Sequence, residues 1–262
     1  MIYVGTAGYS YDDWRGPFYP EKVDKKEMLS IYAREFPFTE VNSTYYRLPN
    51  RYMMYNMQAK APENFHFVIK AYKSLTHERE NNVQDFTAFA DALQPLVESG
   101  KFGCILAQFP QSFRLNGANV AYVRELGRRL AGFGTVVEFR HGEWLREDIF
   151  RFLADQGLGY VCVDEPGLKG LVPPEARATG PTAYVRFHGR NYEKWWKHKE
   201  SYERYDYLYS EDELAGWVPK ISGLAREAKK VYVSMNNHYR GQAVINARMI
   251  RKMLKMAGEE VC

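Results

Sequence analysis

Eight short runs rich in β-branched and aromatic residues recur from end to end of this chain. They lie near Ile2–Gly5, Thr39–Asn42, Phe65–Lys70, Cys104–Gln108, Val136–Phe139, Gly159–Val163, Ala183–Phe187 and Val231–Ser234. Most are separated by stretches with helical periodicity. Strands that alternate with helices pair in parallel, because each crossover helix returns the chain to the start of the next strand. Eight is also the number that closes into a barrel filled by its own side chains. The 262 residues match the usual size of such a barrel. The sequence therefore predicts an α/β protein with a single (β/α)8 TIM-type barrel domain over residues 1–262.

The helical stretches follow from their apolar stripes. Asp24–Glu35 aligns Met28, Leu29 and Tyr32, with Asp24 as the cap. Gln84–Val97 aligns Phe86, Phe89, Leu93 and Leu96, and Ala118–Ala131 aligns Val120, Val123, Leu126 and Leu130. Leu145–Asp155 carries Ile149, Phe152 and Leu153. Glu211–Lys229 carries Leu214, Val218, Ile221 and Leu224, with Pro219 set to kink or split it. Gly241–Met256 carries Val244, Ala247, Ile250 and Leu254. The segment after the sixth strand, Pro166–Pro181, is rich in proline and glycine and is expected to be irregular. Gly189–Ser210, after the seventh strand, is long enough to serve as a lid.

Composition narrows the class of partner. The net charge is +4, with acids and bases interspersed, which permits nucleic acid without arguing for it. The loop Asn191–Ser210 interleaves aromatics with bases, but equal numbers of acids offset them, so the nucleic-acid reading is weak. Aromatics make up 15% of the chain, which suits a polar ligand that stacks as well as it suits a Tyr-rich core. Cys104 and Cys162 lie in apolar runs and Cys262 is terminal, with no paired spacing. A reduced, cytoplasmic protein with inert thiols is the expectation. No apolar run approaches the ~18 residues of a membrane span, and Met1 leads straight into a strand.

In a parallel barrel the active site forms where the strands end. Period two selects the side chains that share the inward face. Glu40 and Asn42 share parity. Lys70 is in phase with Val68, Gln108 with Leu106, and Glu138 with Arg140. Asp164 is in phase with Cys162 and Tyr160 and is read as inward. Tyr184, Arg186, His188 and Arg190 share one face of the seventh strand. The eighth runs into Ser234, Asn236 and His238. Charges on one face are costly to bury without partners, so the set marks either a ligand site or a buried network. Glu40 with Arg140, or Asp164 with Arg186, are the pairs such a network suggests.

Several of these residues fall in motifs. Gly5-Thr-Ala-Gly-Tyr-Ser-Tyr11 with Trp14 and Phe18-Tyr-Pro20 opens the chain. Glu40-Val-Asn-Ser-Thr-Tyr-Tyr46, Gln108-Phe-Pro110, Val137-Glu-Phe-Arg-His141 with Trp144, Tyr184–Arg190 and Asn236-Asn-His238 follow. Together they resemble the YecE-like family, also called domain of unknown function 72, over nearly the whole chain. The resemblance implies a TIM-type barrel and supplies no reaction. One departure is Met235, where the family commonly has Phe.

Three chemistries suit the inward set. The first is an anion site for a phosphate-bearing or other anionic ligand. It uses Arg186, Arg190 and Lys70 with Arg140, and the loops after strands seven and eight, with Asn42, Gln108, Asn236, Asn237 and His238 orienting the ligand. A hydrolase is the expected enzyme class, with Glu138, His188, Asp164 and Glu40 as candidate catalytic groups. The second is glycosidase-type acid–base chemistry between carboxylates, with Tyr9, Tyr11, Trp14, Tyr45 and Trp144 as a sugar platform. The third is a divalent metal, for which His141, His188 and His238 are suitable ligand types without any local motif. No cofactor is predicted. A ligand-binding protein without turnover is the alternative from another class.

Overall fold

Eight strands occur in chain order: β1 (Ile2–Ala7), β2 (Phe38–Val41), β3 (His66–Lys70), β4 (Phe102–Gln108), β5 (Val136–Glu138), β6 (Gly159–Asp164), β7 (Thr182–Phe187) and β8 (Lys230–Met235). All pair in parallel with their neighbours, and β1 pairs with β8 from Ile2 opposite Val231 to Thr6 opposite Met235. The sheet thus closes into a barrel. This computed structural model describes residues 1–262, the side chain of Ser201 excepted. The (β/α)8 barrel expected from the alternation is the fold observed.

The pleat divides the strand residues between two cores. Tyr3, Phe38, Val68, Cys104, Leu106, Val136, Val161, Val163, Tyr184 and Tyr232 fill the barrel interior. Their alternates, among them Val4, Phe67, Ile69, Ile105, Ala107, Val137, Cys162, Val185 and Val233, face the helices. Each such side chain contributes roughly 1.5–3 kcal/mol by leaving water. At Gly5 the β1 and β2 backbones approach so closely that a Cβ would lie 2.3 Å from the Phe38 carbonyl oxygen. Only glycine fits there.

Ten helices surround the strands: α1 (Lys25–Tyr32), α2 (Ser43–Tyr46), α3 (Arg51–Ala59), α4 (Val83–Ala92), α5 (Gln94–Glu98), α6 (Gly117–Arg129), α7 (Glu147–Asp155), α8 (Glu211–Ala215), α9 (Val218–Glu227) and α10 (Gln242–Met256). Asp24 caps α1 in a reciprocal box with Glu27. Expected Gln84–Val97 is two helices, because Pro95 lacks an N–H and opens α5 instead of continuing α4. Pro219 splits α8 from α9 in the same way. The sequence pattern did not predict α2 or α3. In α3 the buried residues are Met54 and Met57 while Tyr52 and Tyr55 point to solvent, so the bulky residues mark the wrong face. No helix or strand forms between β6 and β7, and the loop after β7 holds only a short turn at Ser201–Tyr205. Among the described residues no helix is long and apolar enough to cross a membrane.

Candidate functional site

Strand parity delivers most of the expected polar residues to the C-terminal mouth. Glu40, Lys70, Gln108 and Arg186 come from β2, β3, β4 and β7, and all line one cavity of about 470 Å³. Asn42, Arg140, Asn236 and His238, just beyond the ends of β2, β5 and β8, line it as well, with Tyr9 and Tyr11. Thr44 donates to the carbonyl of Lys70 at 2.6 Å and so fixes that strand end.

The sixth strand corrects the expected register. Tyr160 and Cys162 face the helices while Val161 and Val163 face inward. Asp164 therefore points outward. It accepts from the indole of Trp217 at 2.7 Å, the hydroxyl of Tyr209 at 2.8 Å and the guanidinium of Arg190 at 2.8 and 2.6 Å. The inward group is the next residue, Glu165, which the sequence reading passed over. The lower barrel interior is itself apolar, so Val161 and Val163 carry no mark that separates them from helix-facing residues.

The inward charges form a continuous ladder. Arg186 donates from Nε and Nη2 to Glu40 at 2.9 and 2.5 Å, and from Nη1 to Glu138 at 2.7 Å. Arg140 lies with Nε 2.7 Å from Glu138 and donates from Nη1 to Glu165 at 3.0 Å. Glu165 also accepts from the backbone N–H of Val172 at 3.0 Å. Tyr184 and Ser234 donate to Glu40 at 2.9 and 3.3 Å. The buried network foreseen as an alternative is present, but the partners are Glu40 with Arg186 and Asp164 with Arg190.

Burial alone would raise the Glu138 carboxyl, but Arg140, Arg186 and His188 overcome it and hold it well below its ordinary 4.5. Burial likewise opposes the charge on Arg186, and Glu138 and Glu40 reverse that effect. Glu165 is the exception. Burial lifts it to about 7 despite Arg140. His188 is pushed down to about 3 by burial and by Arg140, so it is neutral. Its Nδ1 pairs with the Asn236 amide at 2.9 Å, and its Nε2 lies 3.2 Å from Glu138.

Lys70 stands apart from the ladder. Among the described residues its Nζ makes no hydrogen bond or ion pair, and it sits over the Tyr45 ring, 4.6 Å from the centroid. Burial and then Arg186 lower it to about 8. Arg140 has its Nη2 free of protein partners among the described residues. Two further groups in the lining, Asn42 Oδ1 and His238 Nδ1, are buried without a partner.

Other expected site residues are placed elsewhere. Trp144 is fully buried, stacked on Phe139 at 4.1 Å, and its indole donates to the Phe113 carbonyl. Trp14 is buried beneath Tyr11 and donates to the His238 carbonyl at 2.7 Å. Neither can present a face to a sugar; only Tyr9 and Tyr11 of the expected platform line the cavity, with Tyr45 under Lys70. Arg190 is taken up by Asp164 and Glu213. Asn237 donates to the Tyr207 carbonyl and to Asn246, each at 2.8 Å. In the loops after β7 and β8 the two glycine N–H groups are already used, Gly189 on the Tyr209 hydroxyl and Gly241 on the His238 carbonyl. His141, His188 and His238 do not converge, and no group of three His, Cys, Asp or Glu among the described residues could hold a metal ion.

The cavity also has lining that the sequence did not mark: Ser43, Tyr46, Met53, Met57 and, from the loop after β7, Tyr205. A smaller recess of about 260 Å³ shares Gln108, Arg140 and Tyr205 with it and adds His77, Trp195 and Trp196. Tyr205 thus stands between the two, as a residue of the expected lid.

The fold and site define a TIM-type barrel whose mouth carries a buried ladder of paired charges beside one unpaired amine. Residues 3–261 match the family described as protein of unknown function DUF72, and the chain belongs to that family. It is 31% identical over 270 residues to the UPF0759 protein YunF of Bacillus subtilis (strain 168), covering 97% of this chain and 95% of that one. A crystal structure of a DUF72 family protein from Thermotoga maritima superimposes with a TM-score of 0.89 at 41% identity, covering 97% and 99% of the two chains. One from Enterococcus faecalis gives 0.86 at 28%, covering 97% and 96%. These relatives supply the family and the barrel.

Proposed function

We propose that the barrel mouth binds a small phosphate- or carboxylate-bearing ligand between Lys70 and Arg140. One observation carries this reading. Arg186 and Arg190 are each shared between two carboxylates, whereas Lys70 lines the cavity with none; Arg140, also paired with Glu138 and Glu165, contributes through its uncommitted Nη2. Buried or half-buried cations without counter-charges favour an anion in their place. Asn42, Asn236 and His238 then orient the ligand. Its anion shifts from the seventh and eighth strands, where the sequence put it, towards the third and fifth.

Hydrolysis of that ligand is the reaction class that we infer, with altered roles. Glu40 and Glu138 are held by guanidinium groups, so they position Arg186 and Arg140 rather than transfer protons. The mouth group left free to accept a proton is His238, which burial pushes down to about 4 and so keeps neutral. A two-carboxylate glycosidase has no observation in its favour.

Titration calorimetry with inorganic phosphate tests the binding reading. Charge-assisted hydrogen bonds are worth roughly 1.5–3 kcal/mol each. Lys70→Met and Arg140→Gln are each expected to weaken phosphate by roughly tenfold or more. Unchanged affinity in both variants would overturn the assignment.

A further inference from the structure

Lys70 has a reactivity that holding an anion does not use. Its strand end is fixed by Thr44 on its carbonyl at 2.6 Å and by the N–H of Ala71 on Leu106 at 2.9 Å. Its amine projects into the cavity over the Tyr45 ring at 4.6 Å, with no carboxylate within ion-pair distance among the described residues. Arg186 and Arg140 line the same cavity and place positive charge near it, while Glu40 and Glu138 are paired with those guanidiniums. An amine desolvated beside other cations is the arrangement that turns lysine into a nucleophile. Burial and Arg186 lower it to about 8, against opposition from Glu40 and Glu138. At neutral pH its uncharged fraction then exceeds that of an ordinary lysine by roughly two orders of magnitude.

We propose that Lys70 is a carbonyl-capturing amine, which condenses with an aldehyde or ketone ligand to form an imine. The lone pair of Nζ forms the C–N bond as the carbonyl π electrons move to oxygen. The two nitrogen protons pass to that oxygen, the C–O bond breaks, and one water leaves as the C=N bond forms. No oxidant or reductant is consumed. Asn42 Oδ1 and His238 Nδ1, both buried and unpartnered in the same lining, call for hydroxyl groups on the ligand. The class is therefore a hydroxylated carbonyl compound with a phosphate or carboxylate. The anion's place at Arg140 rests on the binding reading above; the amine chemistry does not.

Pyridoxal 5′-phosphate and its phosphate-free form, pyridoxal, are the probes. The full-length chain is incubated with each near pH 7.5, reduced with borohydride and mapped by peptide mass spectrometry. Lys70 is expected to carry label at least roughly tenfold ahead of exposed lysines such as Lys22 and Lys169. Lys70→Met removes that site and leaves the exposed ones labelled. Label confined to exposed lysines on the folded wild-type chain would overturn the proposal, whatever the variant does. Arg140→Gln separates the two readings. If the anion reading holds, it slows capture of the phosphate-bearing probe alone. If that reading fails and the amine chemistry stands, each probe labels Lys70 at the same rate in Arg140→Gln as in the wild type.

Discussion

Arg186 is held by two carboxylates from different strands, with Nε and Nη2 on Glu40 of β2 and Nη1 on Glu138 of β5. The pair of contacts spans the barrel interior and ties β7 to strands that are not its neighbours. Arg186 is therefore the keystone of the mouth, and its charge is already satisfied before any ligand arrives.

Removing one partner from such a buried pair leaves an uncompensated charge. Arg186→Met is expected to lower stability by about 3–5 kcal/mol, as is Glu40→Gln to a lesser degree. Urea denaturation followed by circular dichroism measures this. A loss below about 1 kcal/mol in Arg186→Met would mean that the ladder is not formed in solution.

Arg190 gives a contrasting outcome. Its guanidinium neutralises outward-facing Asp164, which is otherwise held only by neutral donors. Arg190→Met should cost about 3 kcal/mol of stability and leave phosphate affinity unchanged. Calorimetry and denaturation on the same variant separate these effects.

Trp144 belongs to a stack with Phe139 and Phe113. Trp144→Ala should cost about 3–5 kcal/mol as a core truncation. The milder Trp144→Phe, which keeps the stack, should bind phosphate as the wild type does. Weakened binding in that variant would restore Trp144 to the site.

Two groups draw stability out of the barrel in acid, His188 and then Glu138, against Glu165, whose raised value near 7 adds stability as pH falls towards 4.5. His188 has a folded value near 3 against 6.5 when unfolded, so the unfolded chain takes up its proton first. Its stabilising contribution is full above pH 6.5 and is lost as pH falls towards 3, with a slope of up to about 1.4 kcal/mol per pH unit. Glu138, held below 4.5, adds a second loss as pH falls below 4.5. Stability curves of wild type and His188→Gln should therefore converge between pH 6.5 and 4. Parallel curves would contradict a neutral, buried His188.

The barrel was legible because each strand carries its own apolar alternation; Pro219 declared a break, whereas the one at Pro95 lay hidden in an unbroken apolar stripe. Glu40, Lys70, Gln108, Arg140 and Arg186 were legible because period two, anchored on neighbours such as Val68 and Leu106, fixes their face. On β6 the same rule failed. Val161 and Val163 are as apolar as any helix-facing pair, so sequence cannot tell a dry barrel interior from the outer core, and Asp164 was exchanged for Glu165. Trp14, Trp144 and Asn237 were misplaced for a related reason. A residue near a strand end reaches the mouth only if no tertiary partner claims it, and those partners, Phe113, the His238 carbonyl and Asn246, lie 31, 224 and 9 residues away. Tyr205 is brought in by a loop without periodicity, which no pattern marks.

The most direct test of the mouth as an anion site is a crystal structure grown in inorganic phosphate. The geometry predicts one phosphate in the cavity, within hydrogen-bond distance of Lys70 Nζ and Arg140 Nη2, with Arg186 still bound to Glu40 and Glu138. A phosphate ordered instead at the Gly189–Arg190 or Asn236–Gly241 loops, with only water between Lys70 and Arg140, would contradict it.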